Sequence, residues 1–105
     1  MTDSVFEVAV YTVQEEKIPE FLEKLEFAHA AMKSMPGFVS LQSVRCIEEQ
    51  NRFVDYCQWQ SYNHAVQAQQ RAMEMPEFKI FFELGSGMIS FGQYQSIRKT
   101  EAKVA

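Results

Sequence analysis

The chain has 105 residues, of which 47% are hydrophobic and 23% charged, a composition typical of one globular domain and not of a disordered segment. Its net charge of −4, with no cluster of basic residues, argues against nucleic acid as a partner, because that binding depends on Lys and Arg at phosphates. No apolar run approaches the length of a transmembrane helix, and the first residues lack the positive charge and apolar stretch of a signal peptide, so we expect a cytoplasmic protein that does not bind membranes.

The first predicted element is a strand over residues 5–13, which are rich in β-branched and aromatic side chains. Both of its faces are largely apolar: one carries Val5, Ala9, Tyr11 and Val13, and the other Phe6, Val8 and Val10. A strand that is apolar on both sides must be covered on both sides. We therefore expect helices on one face and a second sheet on the other, supplied most simply by a second copy of the chain in a homodimer.

Residues 15–35 carry the clearest helical pattern. A continuous apolar stripe at helical spacing comprises Ile18, Phe21, Leu22, Leu25, Ala28, His29, Met32 and Met35. Pro19 is tolerated only in a first turn, so the helix is predicted to begin at 16–18. Met35-Pro36-Gly37 is expected to end it.

Two further strands are predicted at 38–47 and 52–59, joined as a hairpin by four polar residues. A turn centred near Glu49 and Gln50 would place Cys46 opposite Phe53 and Cys57 opposite Gln42. The two sulfur atoms would then be several residues out of register, which argues against both a disulfide and a shared metal ion.

The second half of the chain predicts two helices and a last strand. Ser61 is a plausible N-cap for a helix that carries His64 in its exposed first turn, and Pro76 fits the first turn of a short third helix. Gly85-Ser86-Gly87 is expected to form the turn into a strand at 88–97. The order β-α-β-β-α-(α)-β predicts an α+β, ferredoxin-like split β-α-β with a four-stranded antiparallel sheet. We assign residues 1–98 to this single domain and 99–105 to a flexible tail.

Several junctions resemble those of a known family. The helix ending in Met35-Pro36-Gly37-Phe38, the Trp59-Gln60-Ser61 segment and the Pro-Glu-Phe segment at 76–78 are similar to the dimeric α/β-barrel superfamily, in its antibiotic biosynthesis monooxygenase branch. The resemblance covers about residues 5–97. It implies a dimeric α/β barrel and, as one possible activity, cofactor-independent oxidation of quinol or polyketide-like substrates.

The same family includes haem-degrading enzymes, which place an Asn on the first strand, a Trp on the second helix and a haem-ligating His on the third. The first strand here contains no Asn, and the other two positions fall at about Ala68 and Phe82. All three residues are missing, so the resemblance does not imply haem degradation.

His29 and Asp55 are the candidate catalytic residues. An imidazole beside an apolar pocket can act as a general base, although His29 could equally be a core-edge histidine that hydrogen-bonds a carbonyl or water. Asp55 lies among Phe53, Cys57 and Trp59, where burial could raise its pKa. It could instead pair with Arg45 or Arg98, or lie at a polar dimer contact.

We predict that the protein oxidises a small, electron-rich aromatic substrate with O2, without a cofactor or a metal ion. Deprotonating such a substrate makes an anion that can itself reduce O2, so the protein must supply a base, a dry cavity and orientation. Trp59, Tyr62 and Phe82 are the predicted substrate-binding residues. Two alternatives stay open: a non-catalytic module that binds a hydrophobic small molecule, and a base-driven isomerase on the same barrel.

Overall fold

The computed structural model describes residues 4–103, including their side chains except those of residues 80–82, 85 and 86. In chain order the elements are β1 (Val5–Val13), a 3-10 turn (Glu15–Lys17), α1 (Ile18–Lys33), β2 (Phe38–Arg45), β3 (Arg52–Trp59), α2 (Tyr62–Glu74), α3 (Pro76–Leu84) and β4 (Gly85–Gln95). The predicted order of elements is confirmed.

The four strands form one antiparallel sheet in the order β2-β3-β1-β4. This is the α+β ferredoxin-like arrangement that the sequence predicts, with β1 and β3 in the centre. One face of β1, from Val5 through Ala9 and Tyr11 to Val13, is buried in the core with side chains from the helices. The fold therefore leaves one layer of helices on one face of the sheet and an open second face.

Helix α1 begins where its proline allows. Pro19 lies in its first turn, where a missing backbone N–H costs nothing, and the 3-10 turn precedes it. Phe21 and Ala28 are buried as the helical spacing predicts. Leu22 was predicted to lie on the buried face, but it is 45% exposed. The buried face of the helix is therefore narrower than the stripe of apolar residues in the sequence.

The hairpin of β2 and β3 differs from its predicted register by one residue. Phe53 pairs with Arg45, not with Cys46, and Cys57 pairs with Leu41, not with Gln42. Strand β2 also ends at Arg45 and not at residue 47, since the side chain of Gln50 binds the carbonyls of Cys46 and Ile47 in the loop. Both cysteines are free thiols.

Strand β4 begins at Gly85, so the predicted turn at Gly85-Ser86-Gly87 is wrong. The backbone of Gly85 pairs with Val13 and that of Gly87 with Thr12. Register shifts interrupt the ladder within this segment, between Thr12 and Val13, and again beyond it, between Val10 and Tyr11, which is how glycine-containing strand ends commonly accommodate a bend.

The junction between α1 and β2 depends on Gly37. This residue takes a φ of +81°, and the ring of His64 lies where a Cβ would stand. Ser61 caps α2 as predicted, because its hydroxyl accepts from the backbone N–H of His64. His64 is half-buried against this turn, and the prediction that it is exposed is wrong.

Candidate active site

A cavity of about 490 Å³ lies between the helices and the inner face of the sheet. Its size falls in the range of small-molecule sites, and most of its wall is apolar. Among the apolar residues that line it are Leu25, Met32, Leu41, Ala68, Met73, Phe78, Met88 and Phe91. Of these, Met73 is 76% and Met88 56% exposed, so α2 and β4 border the mouth of the cavity.

A connected group of polar side chains lies on one side of the cavity. The hydroxyls of Tyr11 and Ser43 both donate to Asp55 Oδ1, at 2.9 and 2.7 Å. His29 Nε2 lies 2.8 Å from Ser43 Oγ. These four residues come from β1, α1, β2 and β3, and we call them the His29–Asp55 chain.

The directions of these hydrogen bonds follow from the acceptor at the end. An ionised carboxylate only accepts, so Ser43 and Tyr11 must donate to Asp55. Because the hydroxyl hydrogen of Ser43 is donated to Asp55, the Ser43 oxygen accepts a hydrogen bond from Nε2–H of His29. In the neutral ring this leaves Nδ1 as the atom of His29 that can accept a proton.

Burial dominates the electrostatics of this group. It raises the pKa of Asp55, although the hydrogen bonds from Ser43 and Tyr11 and the nearby His29 act in the opposite direction. Burial also raises the pKa of Tyr11, as do the negative charge of Asp55 and the hydrogen bond to it. Tyr11 therefore serves as a neutral hydrogen-bond donor.

A second carboxyl group, Glu7, lines the same cavity. Gln93 Nε2 donates to its Oε1 at 2.8 Å. Burial raises the pKa of Glu7, while Gln93 and the indole of Trp59 oppose that shift, and the charge of Asp55 adds to it. The Trp59 indole N–H lies close enough to the Glu7 carboxyl to favour its charged form. The two groups do not meet the geometry of a hydrogen bond, and Nε1 has no such partner among the described residues.

Cys57 pairs with Glu7 across the two central strands and is buried. Burial, followed by the charges of Glu7 and Asp55, raises the pKa of its thiol to about 12. Such a thiol is protonated at neutral pH, which disfavours both nucleophilic attack as a thiolate and metal binding. Within the residues that the structure describes, no three His, Cys, Asp or Glu side chains are placed to hold a metal ion together.

The structure brings three of the five predicted site residues together. His29, Asp55 and Trp59 all line the cavity. Tyr62 does not: it is 58% exposed at the start of α2 and borders a separate depression with Tyr94. The side chain of Phe82 lies outside the described residues. Asp55 is not paired with Arg45, whose Nε donates to the Gln50 carbonyl instead.

Three residues of the site were not predicted to have a role there. Glu7 could have been recognised, because the strand period of two places it on the same face as Val5 and Ala9. Tyr11 is predicted only as part of one apolar face of the first strand. Ser43 could not be found from the predicted hairpin, because a register error of one residue turns it to the opposite face.

No helix in the described part of the chain is long and apolar enough to span a membrane.

Comparison with protein families gives a match to the antibiotic biosynthesis monooxygenase family over residues 4–84. Comparison of the sequence with curated proteins finds no match. Among solved structures, SnoaB, a cofactor-independent oxygenase from Streptomyces nogalater, is 24% identical with a TM-score of 0.72, over 96% of this chain and 99% of that chain. A candidate antibiotic biosynthesis monooxygenase from Bordetella bronchiseptica is 18% identical with a TM-score of 0.80, over 91% of this chain and 99% of that one. At these identities the likeness concerns the fold.

Proposed function

The chain belongs to the antibiotic biosynthesis monooxygenase family, and on that premise we propose that it is a cofactor-independent monooxygenase of a small, electron-rich aromatic substrate, such as a quinol or a polyketide-like ring. The observation that carries the proposal is the His29–Asp55 chain at the wall of an otherwise apolar cavity. A base in a largely dry site is what such a reaction needs from a protein.

In the proposed reaction His29 accepts the proton of a substrate hydroxyl. Asp55, acting through Ser43, stabilises the imidazolium that results, since the chain of hydrogen bonds joins the two. The phenolate then transfers an electron to O2, and the two combine as a peroxide on a ring carbon that bears hydrogen. Loss of water leaves a carbonyl at that carbon.

The reaction balances without a further reductant. One atom of O2 enters the product as the carbonyl oxygen, and the other leaves as water. The two hydrogens of that water come from the substrate hydroxyl and the ring carbon, and the four electrons that reduce O2 come from the substrate.

The proposed assembly is a homodimer in which two sheets pack through their open faces. Support comes from the apolar side chains on that face, which include Phe6, Val8, Val10, Val44, Val54 and Tyr56. Val44 and Tyr56 are each more than two-fifths exposed in the single chain. An apolar surface of this kind in one subunit is typical of a protein interface.

The proposal is tested by O2 uptake with a panel of quinols, anthrones and catechols, using protein freed of metal ions and flavin. We expect uptake with at least one substrate class, and we expect His29→Ala to lower kcat/KM by about 10²- to 10⁴-fold because it removes the base. The matched control is His64→Ala, which removes the second histidine of the chain, outside the cavity.

The other outcomes separate the alternatives. Product without O2 uptake would favour the isomerase, and binding without product would favour the non-catalytic module. Unchanged turnover in a His29→Ala, Asp55→Ala double variant would contradict the proposed mechanism.

A further inference from the structure

The cavity carries two acidic side chains and no lysine or arginine to balance them. Glu7 and Asp55 both line it. All ten lysines and arginines of the chain fall among the described residues, and none of them lines the cavity. Among the lining residues only His29 can become cationic, and it is already joined to Asp55 through Ser43. Glu7 therefore faces the cavity without a positively charged partner in the described part of the chain.

Neutral groups hold the Glu7 carboxyl in place. Gln93 Nε2 donates to its Oε1 at 2.8 Å, and the indole N–H of Trp59 lies close to it. Both neighbours favour the charged form of the carboxyl, and neither neutralises that charge. Because Coulomb interactions act over several ångströms in a poorly solvated space, a ligand group need not touch Glu7 to be affected by it.

The two carboxyls act on the groups around them in the same direction. After burial, the charge of Asp55 contributes to the raised pKa of Glu7. Cys57 pairs with Glu7 across the central strands, and after burial the charges of both carboxyls contribute to the raised pKa of its thiol. An anionic group of a ligand in the cavity meets the same opposition, and the apolar walls screen it less than water does.

We infer that the cavity selects ligands by the sign of their charge, with Glu7 as the specificity-determining residue: it binds aromatic rings that are neutral or positively charged and rejects rings that carry a carboxylate. The inference rests on the proposed function for one point, that the cavity is the substrate site. It narrows the substrate class to phenolic rings whose other substituents are uncharged or basic.

Three probes of the same shape separate the effect of charge from that of size: 6-hydroxy-2-naphthoic acid, its carboxamide and its carboxamidine. Near neutral pH their substituents are anionic, neutral and cationic. Anaerobic isothermal titration calorimetry measures their binding without turnover. We expect the carboxamide to bind about tenfold more tightly than the carboxylate, and the carboxamidine to bind at least as tightly as the carboxamide.

Two variants locate the effect. Glu7→Gln removes the charge and keeps an oxygen that can accept from Gln93, and it should reduce the preference for carboxamide over carboxylate by about threefold or more. Asp55→Asn removes the second charge and should act in the same direction. The matched control is Glu48→Gln, which removes a charge from an exposed hairpin residue and should preserve the preference. Affinity for the carboxamide reports in each variant whether the cavity is intact.

Equal affinities for carboxamide and carboxylate in the wild-type protein would overturn the inference. Rejection of the carboxamidine together with the carboxylate would also overturn it, because the cavity would then exclude every ion through the cost of desolvation alone. A preference that survives unchanged in Glu7→Gln would contradict the role of that residue. The test needs no turnover, so failure of the oxygenase reaction leaves it readable. Conversely, O2 uptake with equal affinities would preserve the proposed function and remove the charge selection.

Discussion

At the scale of the residue, Asp55 is held between opposing influences. Burial favours its neutral form, and the hydroxyls of Ser43 and Tyr11 favour its charged form. Burial prevails and the pKa is raised, so the folded protein binds a proton at this position more tightly than the unfolded chain does. A carboxyl group whose pKa is raised by burial in a cavity is typical of functional sites.

The raised pKa of Asp55 predicts a pH-dependent stability. The contribution of this group is fully present below the ordinary pKa of about 4, and it is lost as the pH rises to the raised value in the folded protein. Asp55→Asn keeps an acceptor oxygen and cannot ionise. The variant should therefore gain stability relative to the wild type as the pH rises from 4 to 8, at about 1.4 kcal/mol per unit of pKa difference.

Urea denaturation of both proteins at several pH values measures this difference. Glu48→Gln, in the exposed hairpin, is the control and should follow the wild type. A difference between Asp55→Asn and the wild type that stays constant over this pH range would contradict the assigned shift.

At the scale of the element, the turn between α1 and β2 is the most sterically constrained junction of the described chain. Gly37→Ala should lower the free energy of unfolding by more than about 1 kcal/mol, because its φ of +81° disfavours a side chain and a Cβ would overlap the ring of His64. For a domain of this size the melting temperature should fall by about 4–8 °C per kcal/mol.

Gly87→Ala is the matched control, since the nearest atom to its added Cβ is Thr12 Oγ1 at 3.7 Å, an ordinary contact. A Gly37→Ala, His64→Ala double variant should recover the part of the loss that comes from overlap. Equal melting temperatures for Gly37→Ala and Gly87→Ala would show that the turn is not constrained in this way.

The elements were predictable to different degrees for physical reasons. Enrichment in β-branched and aromatic residues identifies β1. Helical spacing identifies α1, because a buried face imposes its period on the sequence. The register of a hairpin depends on the conformation of its turn, and an error of one residue at Glu49 and Gln50 was enough to hide Ser43. Strand β4 begins at Gly85 because Gly85 pairs with Val13, and no local sequence pattern at Gly85 indicates that pairing.

At the scale of the whole molecule, the open face of the sheet is the largest feature that one chain does not explain. Light scattering at micromolar concentration should give twice the chain mass of 12.2 kDa. Val54→Lys places a charge in the middle of that face and should shift the mass to 12.2 kDa. Ile47→Lys, at an exposed position in the hairpin loop, is the control and should preserve the dimer. A wild-type protein of 12.2 kDa would contradict the proposed assembly.

The order of the elements and the ferredoxin-like arrangement were predicted from the sequence, whereas the register of the β2–β3 hairpin was not, and the site was predicted only in part. His29, Asp55 and Trp59 were found because a polar or bulky aromatic residue on a buried face stands out against its neighbours. The connection of His29 to Asp55 through Ser43, with Tyr11 as a second donor to Asp55, joins three strands and a helix, and it becomes visible only when the register of all three strands is known. The cytoplasmic location stays a prediction.

In the proposed reaction one atom of O2 enters the product without a bound cofactor. The most direct measurement is mass spectrometry of the product formed under ¹⁸O2 by metal- and flavin-free protein, with the substrate that supports uptake. We expect one ¹⁸O atom in each product molecule of the wild-type protein and loss of labelled product in His29→Ala. A product that carries no ¹⁸O, or equal amounts of labelled product from the wild type and His29→Ala, would contradict the proposed reaction.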